Sequence, residues 1–162
     1  MSNLRAIGAS IALVGICSLL ASQSPASARP IGRWDFQSAD YYCSITAQTE
    51  TGNLILLTSQ SGNSGMIVVP KMTIVQPKWQ YPVKISYNGA SDVELAGMGA
   101  MFAQSPSVML KINAASIVAD DRDGFSIRIK LRDLIVFDAD LRGSSEAFAA
   151  FSACSRNFMA NH

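Results

Sequence analysis

The stretch LRGSSEAFAAFSACSRNF, residues 141–158, decides how we expect this chain to fold. In its Gly-Ser-Ser opening, a serine hydroxyl can accept a hydrogen bond from an unpaired N–H of a first helical turn, and Glu146 then suits the positive end of the helix dipole. The apolar residues that follow recur at helical spacing, at Ala147, Phe148, Phe151, Cys154 and Phe158. Ser152, Ser155 and Arg156 lie off this stripe. We expect an amphipathic helix whose buried face carries Cys154.

The chain before this helix is predicted to be mainly β. Its clearest strand is FSIRIKLR, residues 125–132, in which apolar and polar side chains alternate strictly. Further short apolar runs, separated by turn signals about every ten residues, predict strands at residues 54–58, 66–69, 79–87, 108–118 and 134–141. This pattern indicates an antiparallel β-sandwich with one C-terminal capping helix.

One segment of the predicted sandwich is less regular. Residues 93–102 contain Gly97 and Gly99, which argue against a helix, and we expect a weak strand or two short strands there. Asn88-Gly89, just before this segment, is a strong signal for a tight turn.

Residues 1–28 have the features of a secretory signal peptide. Arg5 supplies the positive charge, and residues 6–21 form an apolar segment that is short for a membrane span. The small residues up to Ala28 fit a cleavage site. We expect cleavage after Ala28, which leaves residues 29–162 as a single domain without a transmembrane span. The alternative is an uncleaved N-terminal anchor.

The cysteines indicate an oxidising compartment. Cys17 leaves with the signal peptide, and Cys43 and Cys154 remain. An even number of cysteines in an exported chain favours a disulfide, so we predict a Cys43–Cys154 bridge between the first part of the sheet and the closing helix. The alternative is two free thiols. The expected location is the periplasm or the medium.

Charge and motifs exclude several classes of function. The formal net charge of +1 gives no strong attraction to nucleic acid, so we predict no nucleic-acid partner. His162 is the only histidine and stands last in the chain, which argues against a Ser-His-Asp or Cys-His site. The sequence contains no phosphate loop, dinucleotide fingerprint or zinc-ligand spacing, so we predict no catalytic residues and no cofactor.

Two acidic groups are candidate sites for a metal ion or for acid–base catalysis. The turn at residues 120–124 faintly resembles a calcium loop, but Ala119 stands at the first ligand position and Lys130 where the bidentate glutamate belongs. A plain hairpin turn without metal is therefore favoured. Asp138 and Asp140 share one strand face, where we expect a solvated surface or cross-strand pairing with basic residues and not an acid–base pair.

Two further groups are candidates for binding. Arg128, Lys130 and Arg132, which we call the basic stripe, alternate on one strand face. They form a possible interaction patch for an acidic partner, although charges that prevent edge-to-edge strand pairing are the favoured interpretation. The aromatic residues Trp34, Trp79, Tyr81 and Tyr87 would stack on a ligand in a lectin-like module, but we expect them to fill the core.

The order of these landmarks resembles a known family. Trp34 and Cys43 lie early in the mature chain, and Trp79-x-Tyr81-x-Val83-x-Ile85 follows. The stretch Leu-Arg-Gly-Ser-Ser-x-Ala-Phe then precedes the closing Cys154. This pattern is similar to the exported β-sandwich proteins of alphaproteobacteria related to the invasion-associated locus B family. The resemblance implies a secreted or periplasmic protein that is not an enzyme and contributes to envelope integrity or host contact, and it supplies no catalytic residues.

We therefore expect an exported binding protein that contacts a protein or another envelope component. One alternative is a periplasmic inhibitor of a wall-degrading enzyme, similar to lysozyme inhibitors, which would use the turn at residues 61–65 or 120–124 as its anchor. The third and least favoured hypothesis is an enzyme that uses Asp138 and Asp140 alone.

Overall fold

The structure, a computed structural model, describes residues 27–31, 34–72, 74–114, 126–140 and 142–160. Within these ranges the chain forms ten β-strands and a C-terminal helix. The strands are β1 (Ser27–Ile31), β2 (Trp34–Ala39), β3 (Tyr42–Gln48), β4 (Gly52–Ser59), β5 (Ser64–Pro70), β6 (Gln80–Tyr87), β7 (Val93–Phe102), β8 (Ser105–Lys111), β9 (Ser126–Leu131) and β10 (Leu134–Asp140). The helix, α1, spans Ser145–Ala160.

The ten strands form one antiparallel sheet in the order β1-β2-β3-β4-β5-β8-β7-β6-β9-β10. The predicted class, mainly antiparallel β with a C-terminal helix, is confirmed. Two layers arise because the sheet curls until its last strand, β10, contacts β4 and β5. The approach is close: a Cβ on Gly52 of β4 would lie 2.5 Å from the Val136 oxygen of β10.

Helix α1 begins where the sequence predicted, and it packs against β2, β3 and β4. The Phe148 N–H donates to the Ser144 oxygen at 3.0 Å, and Gly143 adopts the left-handed φ of 81° that leads into the helix. Phe148 contacts the fully buried Trp34 edge-on, with 5.1 Å between ring centroids. The aromatic residues of β2 and of the helix thus share one core.

Residues 93–102 form the full ten-residue strand β7, not the weak or divided strand that we expected. Gly99 is needed because the segment before β6 crosses this strand at close range, and Gly97 because side chains of the neighbouring strands, Val108 and Val83, occupy the space of a Cβ. A Cβ on Gly99 would meet the backbone oxygen of Gln76 and would lie 3.1 Å from Tyr81 Cε2. Two hydrogen bonds of 2.7 Å hold the crossing, from Lys78 N to Gly99 O and from Gly99 N to Trp79 O.

Two strands end earlier than the sequence predicted. Strand β9 ends at Leu131, because Arg132 and Asp133 adopt φ angles of 49° and 69° in a two-residue turn to β10. Strand β8 ends at Lys111, well before the predicted end at residue 118.

Some predictions fall on residues outside the described ranges. These are the signal peptide up to residue 26, the turn at residues 120–124, and the strand residues 115–118 and 125. The predicted cleavage after Ala28 falls within β1, which begins at Ser27.

Candidate binding surfaces and a polar cleft

A disulfide joins Cys43 of β3 to Cys154 of α1, as the sequence predicted, with 6.2 Å between their Cα atoms. Cys43 is fully buried and lies opposite Thr58 of β4 in the sheet register. The bridge therefore ties the helix to the middle of the first half of the sheet. Disulfides of this kind persist in oxidising compartments, which fits an exported protein.

The basic stripe is only partly assembled. Arg128 Nη2 donates to Asp138 Oδ2 on β10 at 2.8 Å, which confirms the expected cross-strand pairing, and Lys130 Nζ lies 3.1 Å from Asp92 Oδ2. Arg132 does not continue the stripe, because it lies in the turn after β9. The role of the basic stripe as an interaction patch stays a prediction. An acidic partner would have to compete with Asp138 for Arg128 and with Asp92 for Lys130.

Both residues of the β9–β10 turn, Arg132 and Asp133, contact side chains of β6. The Arg132 guanidinium carbon lies 5.5 Å from the centre of the Tyr81 ring, within cation–π range. Lys84 Nζ donates to Asp133 Oδ1 at 2.6 Å. This hydrogen bond, and then the charge of Lys84, lower the pKa of the Asp133 carboxyl, and Asp133 raises the pKa of Lys84 in return. Both ionised forms are therefore favoured at the turn.

Asp138 and Asp140 line a cleft of about 430 Å³ whose opposite wall is the β3–β4 turn. Each carboxylate has a guanidinium as its partner. Asp138 accepts from Arg128, and Asp140 accepts from Arg142 Nε at 2.6 Å. This arrangement favours structural ion pairs over an acid–base pair in the cleft.

Three of the four aromatic candidates lie in the core or against it, and one is exposed. Trp34 and Tyr81 lie in the core, as expected, and Tyr87 packs against it, where burial raises the pKa of its phenol. Trp79 is 55% exposed, so its predicted core position is wrong. Strand β6 begins only at Gln80, and Lys78 adopts a φ of 68°, so the two-residue alternation does not extend back to Trp79.

The sheet face turned away from the core carries an apolar row. Ile55 of β4 lies opposite Ile67 of β5, Ile67 opposite Met109 of β8, and Met109 opposite Met98 of β7. Ile55 and Ile67 are buried, yet they do not belong to the core cluster. Four strands at the usual spacing make this row about 14 Å long. We call these four residues, together with Leu57, the outer face.

Two shallow clefts meet on the outer face. One, of about 430 Å³, lies over both methionines and Ile67, and the other, of about 490 Å³, lies over Ile55 beside Phe102 at the end of β7. Leu57 lines both clefts. Each of the two methionines is 43% exposed. Exposed apolar surface with flexible thioethers is typical of protein contact surfaces.

A third cleft, of about 400 Å³, opens where the β4–β5 hairpin, the end of β8 and helix α1 meet. We call it the polar cleft, and it is lined by Thr58, Gly62, Asn63, Ser64, Lys111, Ile112, Asn113 and Ser155. None of these residues carries a carboxylate, and Lys111 supplies a cation. The Ala114 N–H donates to Ser64 Oγ at 2.8 Å, and Ser64 Oγ lies 3.4 Å from Thr58 Oγ1.

Ser155 is only 1% exposed, although the apolar spacing of the helix predicts it off the buried stripe. Its Oγ has no hydrogen-bond partner among the residues that the structure describes. The helical spacing contains the signal that would have revealed this burial. Ser155 follows Phe148 by seven residues and Phe151 by four, and both phenylalanines are buried.

No group of three or more His, Cys, Asp or Glu side chains in the described part of the chain is placed to hold a metal ion. The described helices include none with the length and apolar composition needed to cross a membrane. The chain matches no family model, no curated protein and no solved structure. The resemblance to the invasion-associated locus B family therefore stays a prediction from the sequence.

Proposed function

We propose that this protein is an exported binding protein of the cell envelope that docks a protein partner on its outer face and does not act by catalysis. The observation that carries the proposal is the exposure of Met98 and Met109, which extend the apolar row of β4 and β5 across β8 and β7. Helix α1 packs against β2, β3 and β4, on the side where the core lies, and leaves this opposite face to other contacts.

The chemistry of the outer face indicates the kind of partner. Its five side chains are uncharged, and Thr46 and Gln80, also uncharged, continue the row at its two ends. Lys111 is the one charged residue among the described residues that line the cleft over the methionines, so most of the face offers a charged ligand no counter-charge for the hydration it would lose. A protein segment with apolar side chains gains contact area instead, and methionine side chains adapt their shape to it. The disulfide and the sequence resemblance support an envelope location.

The test of the docking surface is capture of the partner by crosslinking in the cells of origin. We expect the double variant Met98→Glu/Met109→Glu to retain at most about one tenth of the crosslinked partner, because two carboxylates would replace apolar contacts and lose hydration in the interface. Leu134→Glu is the matched control, since Leu134 is 50% exposed on β10, outside the outer face. The control should capture as much partner as the wild type.

Circular dichroism establishes that each variant is folded. Equal capture of the partner by the double variant and the wild type would reject the outer face as the docking surface. Loss of capture in both variants would also count against it, because the effect would then come from added charge in general.

The intact mass of the purified protein tests export separately. We expect a chain that begins at Arg29 and is lighter than the reduced form by two hydrogen atoms, because cleavage and oxidation both follow translocation. A full-length or reduced chain would contradict export while leaving the docking surface open to its own test.

A further inference from the structure

We propose that the polar cleft is a binding site for a small organic anion, a carboxylate or phosphate group on a short carbon body. The polar cleft adjoins the outer face and shares Asn63, Ser64 and Lys111 with the cleft over its methionines. The anion site is argued from its own lining and has its own test, so this inference does not depend on the proposed function. Three observations carry it: the balance of charge, the arrangement of the hydroxyls, and the unpartnered Ser155.

The charge in the polar cleft is entirely positive. Lys111 is exposed at the end of β8 and forms no ion pair with any residue that the structure describes. The other polar lining residues carry hydroxyl or amide groups, which donate hydrogen bonds without adding negative charge. A free ammonium among neutral donors favours an anionic oxygen, because charge-assisted hydrogen bonds are stronger than neutral ones.

The hydroxyls of Ser64 and Thr58 retain a proton that a ligand can accept. The backbone N–H of Ala114 occupies one acceptor site of Ser64 Oγ, which leaves the Ser64 proton for Thr58 or for a ligand. Thr58 is 5% exposed, so its hydroxyl is already largely removed from water before a ligand binds. Preorganised donors of this kind lower the cost of desolvation on binding.

Ser155 is the independent sign of a ligand. Its hydroxyl is buried in the wall of the polar cleft and has no partner in the described ranges. A buried hydroxyl without a hydrogen bond destabilises a fold, so alanine would be the more stable choice at this position. A ligand oxygen reached by a rotation about χ1 of Ser155 would supply the missing partner.

The disulfide holds the two walls of the polar cleft together. Cys43 lies opposite Thr58 in the β3–β4 register, and Cys154 directly precedes Ser155 in α1. The volume of about 400 Å³ falls within the range of small-molecule sites and exceeds what a bare inorganic anion fills. Ile112 offers an apolar contact for the remainder of such a ligand.

The test is calorimetric titration of the oxidised protein with citrate and with glycerol 3-phosphate, and with glycerol as the neutral comparison. We expect saturable binding of at least one anion that weakens as salt rises, and no binding of glycerol. Lys111→Met should weaken binding at least about tenfold, because it removes the charge and keeps the length of the side chain. Lys71→Met, at an exposed lysine outside the polar cleft, should leave binding unchanged.

Ser155→Ala separates a binding role from a structural one. We expect this variant to bind the anion about threefold or more weakly and yet to melt at the same or a higher temperature, because an unsatisfied hydroxyl has been removed. Absence of binding for both anions, equal affinity of the Lys111→Met variant and the wild type, or equal binding of glycerol would each overturn the proposal.

Discussion

Replacement of both Cys43 and Cys154 by alanine should lower the free energy of unfolding by about 4–5 kcal/mol. The bridge spans 111 residues, and the chain-entropy account assigns a large loss of unfolded-state freedom to a loop of that length. The bridge also joins the helix directly to β3. Without it the helix is held less firmly against the sheet, which weakens the contact between Phe148 and Trp34. Urea unfolding monitored by circular dichroism measures the change.

The reduced wild-type protein is the control for this prediction. It keeps both sulfur atoms, so it separates loss of the bridge from the small cavity left by alanine at the fully buried Cys43. We expect the reduced protein to lose nearly as much stability as the double variant. A loss below about 1 kcal/mol in the reduced protein would show that the loop constraint contributes little.

Gly99→Ala should destabilise the fold by about 3 kcal/mol, at the upper end of the usual cost of overpacking. The added Cβ would meet the backbone oxygen of Gln76, and a backbone atom cannot move aside as a flexible side chain can. The same crossing is held by the hydrogen bonds from Lys78 and to Trp79, so relief of the clash would break them. A third bond, from Gln76 N to Tyr81 Oη at 2.7 Å, ties the crossing segment to β6.

Met98→Ala is the matched control in the same strand. Met98 points to the outer face and is 43% exposed, so its truncation should change stability by no more than about 0.5 kcal/mol. Chemical denaturation of both variants gives the comparison. Near-wild-type stability of Gly99→Ala would mean that the crossing segment shifts easily and does not constrain β7.

Local sequence patterns were sufficient to predict the core residues of each element that buries only one face. The period-2 alternation of β9 placed Ile127, Ile129 and Leu131 in the core, and the helical stripe placed Phe148 and Phe151 there. The disulfide was predictable by elimination, because only two cysteines lie outside the predicted signal peptide. Burial of a face forces side chains to repeat at the period of the backbone, so the sequence records it.

The binding surfaces were much less predictable. The outer face depends on strand register across β4, β5, β8 and β7, which brings together residues more than 50 positions apart, such as Ile55 and Met109. The polar cleft joins a hairpin, a strand end and a helix that are not neighbours in the chain. Arg132 does not continue the basic stripe, because a two-residue turn ends β9 one residue earlier than the alternation indicated.

The sequence by itself thus determined the class of the fold, the closing helix and the pairing of Cys43 with Cys154, because these follow from residue spacing along single elements and from the number of cysteines. Only the tertiary structure decided that the ten strands form one curled sheet, that Gly99 lies beneath a crossing segment, and that Ser155 lies in the wall of a cleft. These features depend on which distant backbones approach each other, and side-chain periodicity within one element carries no information about that choice.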